Sequence, residues 1–409
     1  MQSQKTKGKL MRVTVLVCLS LVFSMLGFAL WPVYLLRLGE AWSLSGVEIG
    51  TIGGAYFAGY VIATPFFVSS TDRIDAKNVF ICGSLLVAFA SLAFSLLAKG
   101  FWTTLPIWAL SGAGLAGIYM PGLQILNARF DPNFRVKIVP YYTASFSLGA
   151  ALSFMFMGFC MTRIAAHQAM VFVALSALGS AGIVAFTVDA LKPNLSVKSR
   201  SSVLDFKRVF SDPINVAYTL SYAGHNLELF AYRSWIFALI VFLGTHNTNS
   251  IPETTAGIVL ASMTVSGILA SLLGAKLCLK FPRHKIISGI ALLSVTFGIA
   301  AGFSLNGSLW VILLLLSLYY FAIMLDSGGL TAGIVEHSDD SNRGTVLASY
   351  SMFGFVGSII GPPLVGLVLD WHGGVTDHSA WKYALVTMAV GSFSVFFIQQ
   401  WADRLTSPR

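Results

Sequence analysis

Twelve apolar runs, each long enough to cross a lipid bilayer, leave this chain very few ways to fold. They cover about residues 13–36, 46–69, 78–98, 103–127, 138–162, 168–189, 214–242, 254–277, 284–305, 308–332, 344–369 and 380–401. A membrane helix needs about 20 mainly apolar residues, whereas a barrel strand shows as about ten residues of alternating polarity. The runs are long and continuous, so the backbone must satisfy its polar groups within each segment, as helices do. Composition removes the soluble alternatives. Charged residues make up 11% of the chain and hydrophobic ones 56%, against about 25% charged in an ordinary soluble domain. Too few polar side chains remain to cover a core, which excludes a soluble enzyme, a disordered chain and a disulfide scaffold.

The first run begins after Lys5, Lys7, Lys9 and Arg12, in the manner of a signal peptide. It extends from Val13 to about Leu36, longer than a signal core of about 7–15 residues. Val17 also stands where a lipoprotein signal needs a small residue before Cys18. The run therefore reads as the first span. Cys18, Cys82, Cys160 and Cys278 show no metal-binding spacing and read as buried small hydrophobes.

The formal net charge is +9, which in a soluble protein suggests nucleic acid. Topology accounts for it instead. If the N-terminus is cytoplasmic, only Arg37, Lys99, Arg163 and Lys382 fall on the far side and Arg233 lies inside a span. The other 21 of the 26 basic residues take cytoplasmic loops and ends. Such asymmetry favours both termini on the cytoplasmic side and leaves little basic charge for a nucleic-acid site. The longest loop, residues 190–213, carries five of these cations, and Ser201 to Phe210 is a candidate amphipathic surface helix. It divides the chain into an N-terminal six-helix half (1–189), a cytoplasmic linker (190–213) and a C-terminal six-helix half (214–409).

The halves repeat at an offset of about 206–208 residues. Arg135, Tyr142 and Gly149 are matched in spacing by Arg343, Tyr350 and Gly357, and Gly122-Leu123 by Gly329-Leu330. A parallel repeat of two six-span halves places a substrate site where the halves meet, near the midplane.

Over nearly its whole length the chain resembles the major facilitator superfamily. That family's turn between spans two and three reads roughly G-x-x-x-D-R-x-G-R-R/K. Here Asp72, Arg73 and Lys77 match it, while Val68, Asp75 and Ala76 depart from it. In the second half Gly274 keeps the glycine, Cys278 replaces the acid, and Lys280, Arg283 and Lys285 supply charge. Trp108 stands where span four of the family often carries an arginine, ahead of Gly112, Gly114 and Gly117. Span five has Gly149 but not the proline-glycine motif of drug antiporters, and Gly361-Pro362-Pro363 in span eleven is a partial echo. The resemblance implies twelve transmembrane helices in two pseudo-symmetric halves, the fold of that superfamily. It also implies a conformational latch at Asp72, Arg73 and Lys77.

Span seven carries most of the candidate chemistry. With about 100° per residue, Tyr218, Ser221, Tyr222, His225, Glu228 and Tyr232 form one polar and aromatic stripe. Asn226 and Arg233 lie beside it. Glu228 is about 21 Å from either end of the helix, too far for its carboxylate to reach water along the lipid face. Buried acids of this kind face a cavity and move protons, so Glu228 and His225 are the proton-coupling candidates. Arg233 is a candidate for an anionic substrate, with Tyr222, Tyr232 and Asn226 beside it. Further substrate-binding candidates are Ser24 and Trp31 in span one, Tyr142 in span five, Asp326 in span ten and Tyr350 in span eleven. Ser20, Ser24, Gly27 and Trp31 share a face, and Pro32 is expected to loosen the helix there. Gly50 and Gly54, with Tyr56 and Tyr60, read as close packing, and Asp370 as a helix-end residue.

The chain therefore reads as a secondary active transporter of a small polar or anionic organic solute. It works by alternating access, is coupled to protons, and sits as a monomer in a bacterial inner membrane. The bilayer and a small-molecule substrate are its partners, with no cofactor, metal or nucleic acid. The alternatives are a drug or metabolite efflux antiporter and a non-transporting membrane sensor. An intramembrane enzyme finds no support, since no protease, hydrolase, haem or P-loop signature is present.

Overall fold

The computed structural model describes residues 2–129, 132–191, 210–246, 251–338 and 343–406. The candidate surface helix from Ser201 to Phe210, apart from Phe210 itself, and most of the linker lie outside them. Among the described residues there is no strand, and every element is a helix. These are α1 (Gln2–Ser24), α2 (Leu30–Ala41), α3 (Gly46–Ser70), α4 (Ala76–Leu97), α5 (Phe101–Asn127), α6 (Pro132–Met161), α7 (Ala166–Thr187) and α8 (Pro213–His246), followed by α9 (Glu253–Lys280), α10 (Arg283–Phe303), α11 (Leu309–Leu325), α12 (Ser327–His337), α13 (Arg343–Gly354), α14 (Val356–Trp371), α15 (His378–Met388) and α16 (Val390–Thr406).

Paired where a single turn interrupts them, the helices give the twelve expected spans. Eleven pass as membrane helices by length and hydropathy, and the first contributes the shorter apolar helix Met11–Ser24. The sequence runs do not show the interruptions. Span one breaks at residues 25–29, span ten at Asp326, span eleven at Phe355 and span twelve at Ala389. In span one the break lies before Trp31 and Pro32. Pro32 sits in the first turn of α2, where its missing N–H costs nothing.

Helix starts are built from short acids and serines. Ser45 and Glu48 form a capping box on α3, the Ser45 N–H donating to Glu48 Oε2 at 2.9 Å and the Glu48 N–H to Ser45 Oγ at 3.2 Å. Asp75 caps α4 through the Lys77 N–H at 3.0 Å and also accepts the Leu191 N–H at 2.7 Å. That explains the aspartate where the family turn has a glycine. Asp377 caps α15, accepting the N–H groups of Ser379 and Ala380 and the Ser379 hydroxyl. The hydroxyl bond first, then the two N–H groups, hold its carboxyl below the ordinary carboxylate range.

The chain divides into two compact units. One comprises Met1–Tyr34, Ala58–Lys198 and Glu253–Thr264; the other Leu35–Phe57, Ser199–Pro252 and Val265–Arg409. The second unit thus takes the end of α2 and the first part of α3, and the first unit takes the start of α9. In the first unit α4 packs on α5 and α7, and α1 on α6 and α7. Its polar interior is made of hydroxyls. The Ser24 hydroxyl donates to Ser180 Oγ at 2.7 Å, and Ser180 passes the bond to the carbonyl of Ser20 at 2.8 Å. Among the described residues of this unit no charged side chain is buried.

In the second unit α8 is the central post, packed by α11, α12, α13, α14, α15 and α16. Of its most apolar 18-residue window 89% is buried, against 39–61% for the other spans. The start of α3 belongs to this unit. Asp370 at the end of α14 accepts the N–H groups of Gly46 and Val47 at 2.7 and 2.9 Å, so this helix-end acid caps a different helix. Gly50 and Gly54 lie directly against the backbone of Pro362 and Ile359, the close packing expected of them. The cysteines are free. Cys160 and Cys278 are buried and Cys18 is half-buried, but Cys82 is exposed. That corrects the reading of all four as buried, because an apolar helix in lipid turns one apolar face outward and Cys82 is on it.

Candidate functional site

The stripe on α8 meets partners from four spans. Glu228 is fully buried. Its Oε1 accepts the Ser294 hydroxyl of α10 at 3.0 Å and its Oε2 the backbone N–H of Ser392 at 2.8 Å. The Tyr319 hydroxyl of α11 faces the same carboxylate. Ser392 is free to donate because span twelve breaks at Ala389, leaving the first N–H groups of α16 without helical partners. Glu228 thus caps the positive end of a half-helix. Gly391 makes the approach possible, since a Cβ there would run into the Gly224 carbonyl and the Glu228 Cβ.

One turn before Glu228 lies His225, 2% exposed, with Nδ1 at 2.6 Å from Asp326 Oδ1. Neither of these two atoms has a hydrogen-bond partner, so each answers the polarity of the other. Asp326 occupies the break between α11 and α12. Tyr222 stacks on the His225 ring at 5.9 Å and on Tyr350 at 4.3 Å, both at 11°. Spans seven, ten and eleven therefore join His225, Asp326, Tyr222 and Tyr350 into one cluster. Below it Gln399 joins His284 and the Ser221 hydroxyl, each at 2.8 Å.

Arg233 is 7% exposed. Its Nε and Nη2 donate to the Tyr320 hydroxyl at 3.2 and 2.6 Å, and its guanidinium lies 5.6 Å from the Phe230 ring centroid. It does not pair with Glu228. Asn226, 1% exposed, leaves its Nδ2 without a partner. Tyr232 donates to the Leu316 carbonyl at 2.8 Å.

The remaining candidates lie elsewhere. Ser24 joins the hydroxyl chain of the first unit, and Trp31 is buried there. Tyr142 donates to the Ile118 carbonyl at 3.2 Å and stacks on Tyr119. Phe28 and Phe146 extend that group of rings. Asp72 and Arg73 are exposed, while the Lys77 ammonium caps α7 by donating to the Ala185 carbonyl at 2.7 Å.

Sequence reasoning missed Ser294, Ser392, Tyr319, Tyr320 and Gln399. Tyr319-Tyr320 interrupts a leucine-rich run and was a usable signal. Ser392 acts through its backbone, which no side-chain pattern reveals.

The comparisons agree with this architecture. A family model described as Major Facilitator Superfamily matches residues 16–325 and 229–408. The chain belongs to the Major Facilitator Superfamily. It is 26% identical to Multidrug resistance protein 2 of Bacillus subtilis over 85% of each chain. It is 23% identical to the Hexuronate transporter of the same organism over 81% of each. Among solved structures it matches a bacterial homologue of the human lysosomal transporter Spinster, with a TM-score of 0.78, 14% identity and 97% of each chain covered. The protein is an integral membrane transporter of this superfamily, not an enzyme, and it acts on a small-molecule substrate.

Proposed function

We propose that the chain is a proton-coupled secondary transporter of a small polar or anionic organic solute, working by alternating access between its two six-helix halves. In this reading it is a monomer in a bacterial inner membrane with both termini cytoplasmic. The carrying observation is the set of ionisable groups on α8 and packed against it. Glu228 and the His225–Asp326 pair lie one turn apart on a helix enclosed by protein. Ionisable groups at this depth are costly to insert, so their presence argues for a use. Proton gain by Asp326 weakens the attraction between it and His225, and proton gain by Glu228 weakens its hold on the Ser392 N–H of α16. Either change biases a helix that is already broken, which is how a bound proton can shift a two-state equilibrium. Exposed Asp72 and Arg73 are free in this arrangement to serve as the latch of the alternative state.

Reconstitution into proteoliposomes tests the reading. Wild-type protein should accumulate substrate when a pH gradient is imposed. Glu228→Gln should retain exchange and lose gradient-driven accumulation; full accumulation by that variant would sink the proposal.

A second reading, efflux of drugs or metabolites in exchange for protons, is favoured by the multidrug relative and by the ring cluster of Phe28, Tyr119, Tyr142 and Phe146. Inside-out vesicles would separate the two by the direction of the gradient that drives accumulation.

A further inference from the structure

A second face of α8 carries a constellation that the proton-coupling groups do not use. At about 100° per residue Asn226, Arg233 and Phe230 fall within about 60° of one another, roughly a quarter-turn from His225. Arg233 is 93% shielded by its 7% exposure, yet among the described residues no carboxylate pairs with it. The two acids of the interior are engaged elsewhere, Glu228 by Ser294 and Ser392 and Asp326 by His225. Tyr320 accepts from Nε and Nη2, while Nη1 has no partner among the described residues. Two turns earlier on the same face, the Asn226 Nδ2 is buried without an acceptor. Both unmet groups are donors, and one is a cation.

Such a pair is expensive to keep in a folded interior unless something completes it. Beside them stands an apolar wall. The Phe57 ring lies 4.1 Å from Phe230, and Phe355 lies 6.4 Å from Phe57 and 6.0 Å from Phe230. Donors of this kind take an oxyanion, and a guanidinium edge fits the two oxygens of a carboxylate. Rings next to them take a flat apolar body.

We infer that Arg233 and Asn226 form the anion-binding subsite of the transported solute, and that the solute is a carboxylate carrying an aromatic or similarly apolar body seated against Phe57, Phe230 and Phe355. The subsite rests on the transport reading above and narrows its substrate class. Tyr320 is a positioning residue here: its hydroxyl holds two guanidinium nitrogens and leaves the third unengaged.

The test uses the full chain, purified in detergent at fixed pH, with 1-naphthoate and its neutral amide, 1-naphthamide, as probes. Naphthoate should raise the thermal-unfolding midpoint and naphthamide should not, since a ligand of the folded state stabilises it. Arg233→Gln should weaken naphthoate binding by about tenfold or more. Without probe, that variant should unfold at or above the wild-type midpoint, because it removes an uncompensated buried cation. Asn226→Leu should weaken naphthoate binding too. Equal binding of acid and amide, unchanged binding by Arg233→Gln, a wild-type protein that ignores naphthoate, or an Arg233→Gln variant that unfolds well below wild type would each overturn the proposal. Failure of the proton-coupling reading would look different: carboxylate binding at fixed pH would persist while an imposed gradient drove no accumulation.

Discussion

At the scale of single residues, the interior of the second unit separates groups by how completely they are satisfied. Glu228 has a donor on each oxygen, whereas His225 Nδ1 and Asp326 Oδ1 have only each other. A buried ionic partner left alone is worse than an apolar pair, so the two substitutions should not add. Replacing either His225 or Asp326 by leucine should destabilise by about 3–5 kcal/mol. The double replacement should cost clearly less than the two single costs combined, and thermal unfolding of the three variants measures the coupling. Additive losses would show that the pair is not a pair. The sequence made His225 and Glu228 legible as a stripe, because polar residues on an apolar helix are conspicuous. It did not show that Asp326 would meet His225, since nothing in the spacing of spans seven and ten fixes their relative rotation. Asn226 and Arg233 were legible as polar residues beside the stripe, but their lack of partners emerges only in three dimensions.

At the scale of helices, span ends were readable because loops are polar and lipid is not. The breaks at Asp326, Phe355 and Ala389 were not, since none of them carries a proline or glycine at the break itself. The close approach of α16 to α8 depends on Gly391, where an added methyl group meets the Gly224 carbonyl and Glu228. Gly391→Ala should therefore destabilise by about 1–3 kcal/mol, as overpacking does. Gly182 in α7 has open space around its Cβ position, and Gly182→Ala should instead be neutral or stabilise by about 0.4–1 kcal/mol. Comparing the two unfolding midpoints isolates packing from backbone propensity. Asp370 offers a second test of helix joining. Asp370→Ala removes the acceptor for two N–H groups of α3 and should cost about 1 kcal/mol of stability; an unchanged midpoint would mean that the capping box at Ser45 and Glu48 suffices alone.

At the scale of the whole molecule, charge is distributed unevenly. Among the described residues the first unit buries hydroxyls and rings, and the second holds His225, Glu228, Arg233 and Asp326. Outside the spans, acids tie helix ends together, and these give the protein its acid limit. Burial pushes the Asp212 carboxyl up, but bonds from His337 and from the N–H groups of Ile214 and Asn215 outweigh it and leave it below the ordinary range. Asp377 is lowered likewise. A carboxyl lowered by folding contributes stability that is full above about pH 4 and fades as pH falls through its folded value. The unfolding midpoint should thus drop below about pH 4, and Asp212→Asn should flatten that drop while lowering the plateau at neutral pH.

The enclosure of α8 has a consequence for how the chain is made. Ser294, Asp326, Tyr320, Tyr350, Ser392 and Gln399, which answer its polar groups, all follow it in the chain. When α8 leaves the ribosome it must enter the bilayer with Glu228 and Arg233 unanswered, at a cost of a few kcal/mol for each charge. It then waits for about 160 further residues to be synthesised before Ser392 arrives. During that interval a span carrying both Glu228 and Arg233 lacks the partners that answer them, so the period of greatest exposure to quality-control proteases falls in mid-synthesis. The helix best shielded from lipid in the finished transporter is the one that depends most on lipid, or on an insertion chaperone, while it is being built.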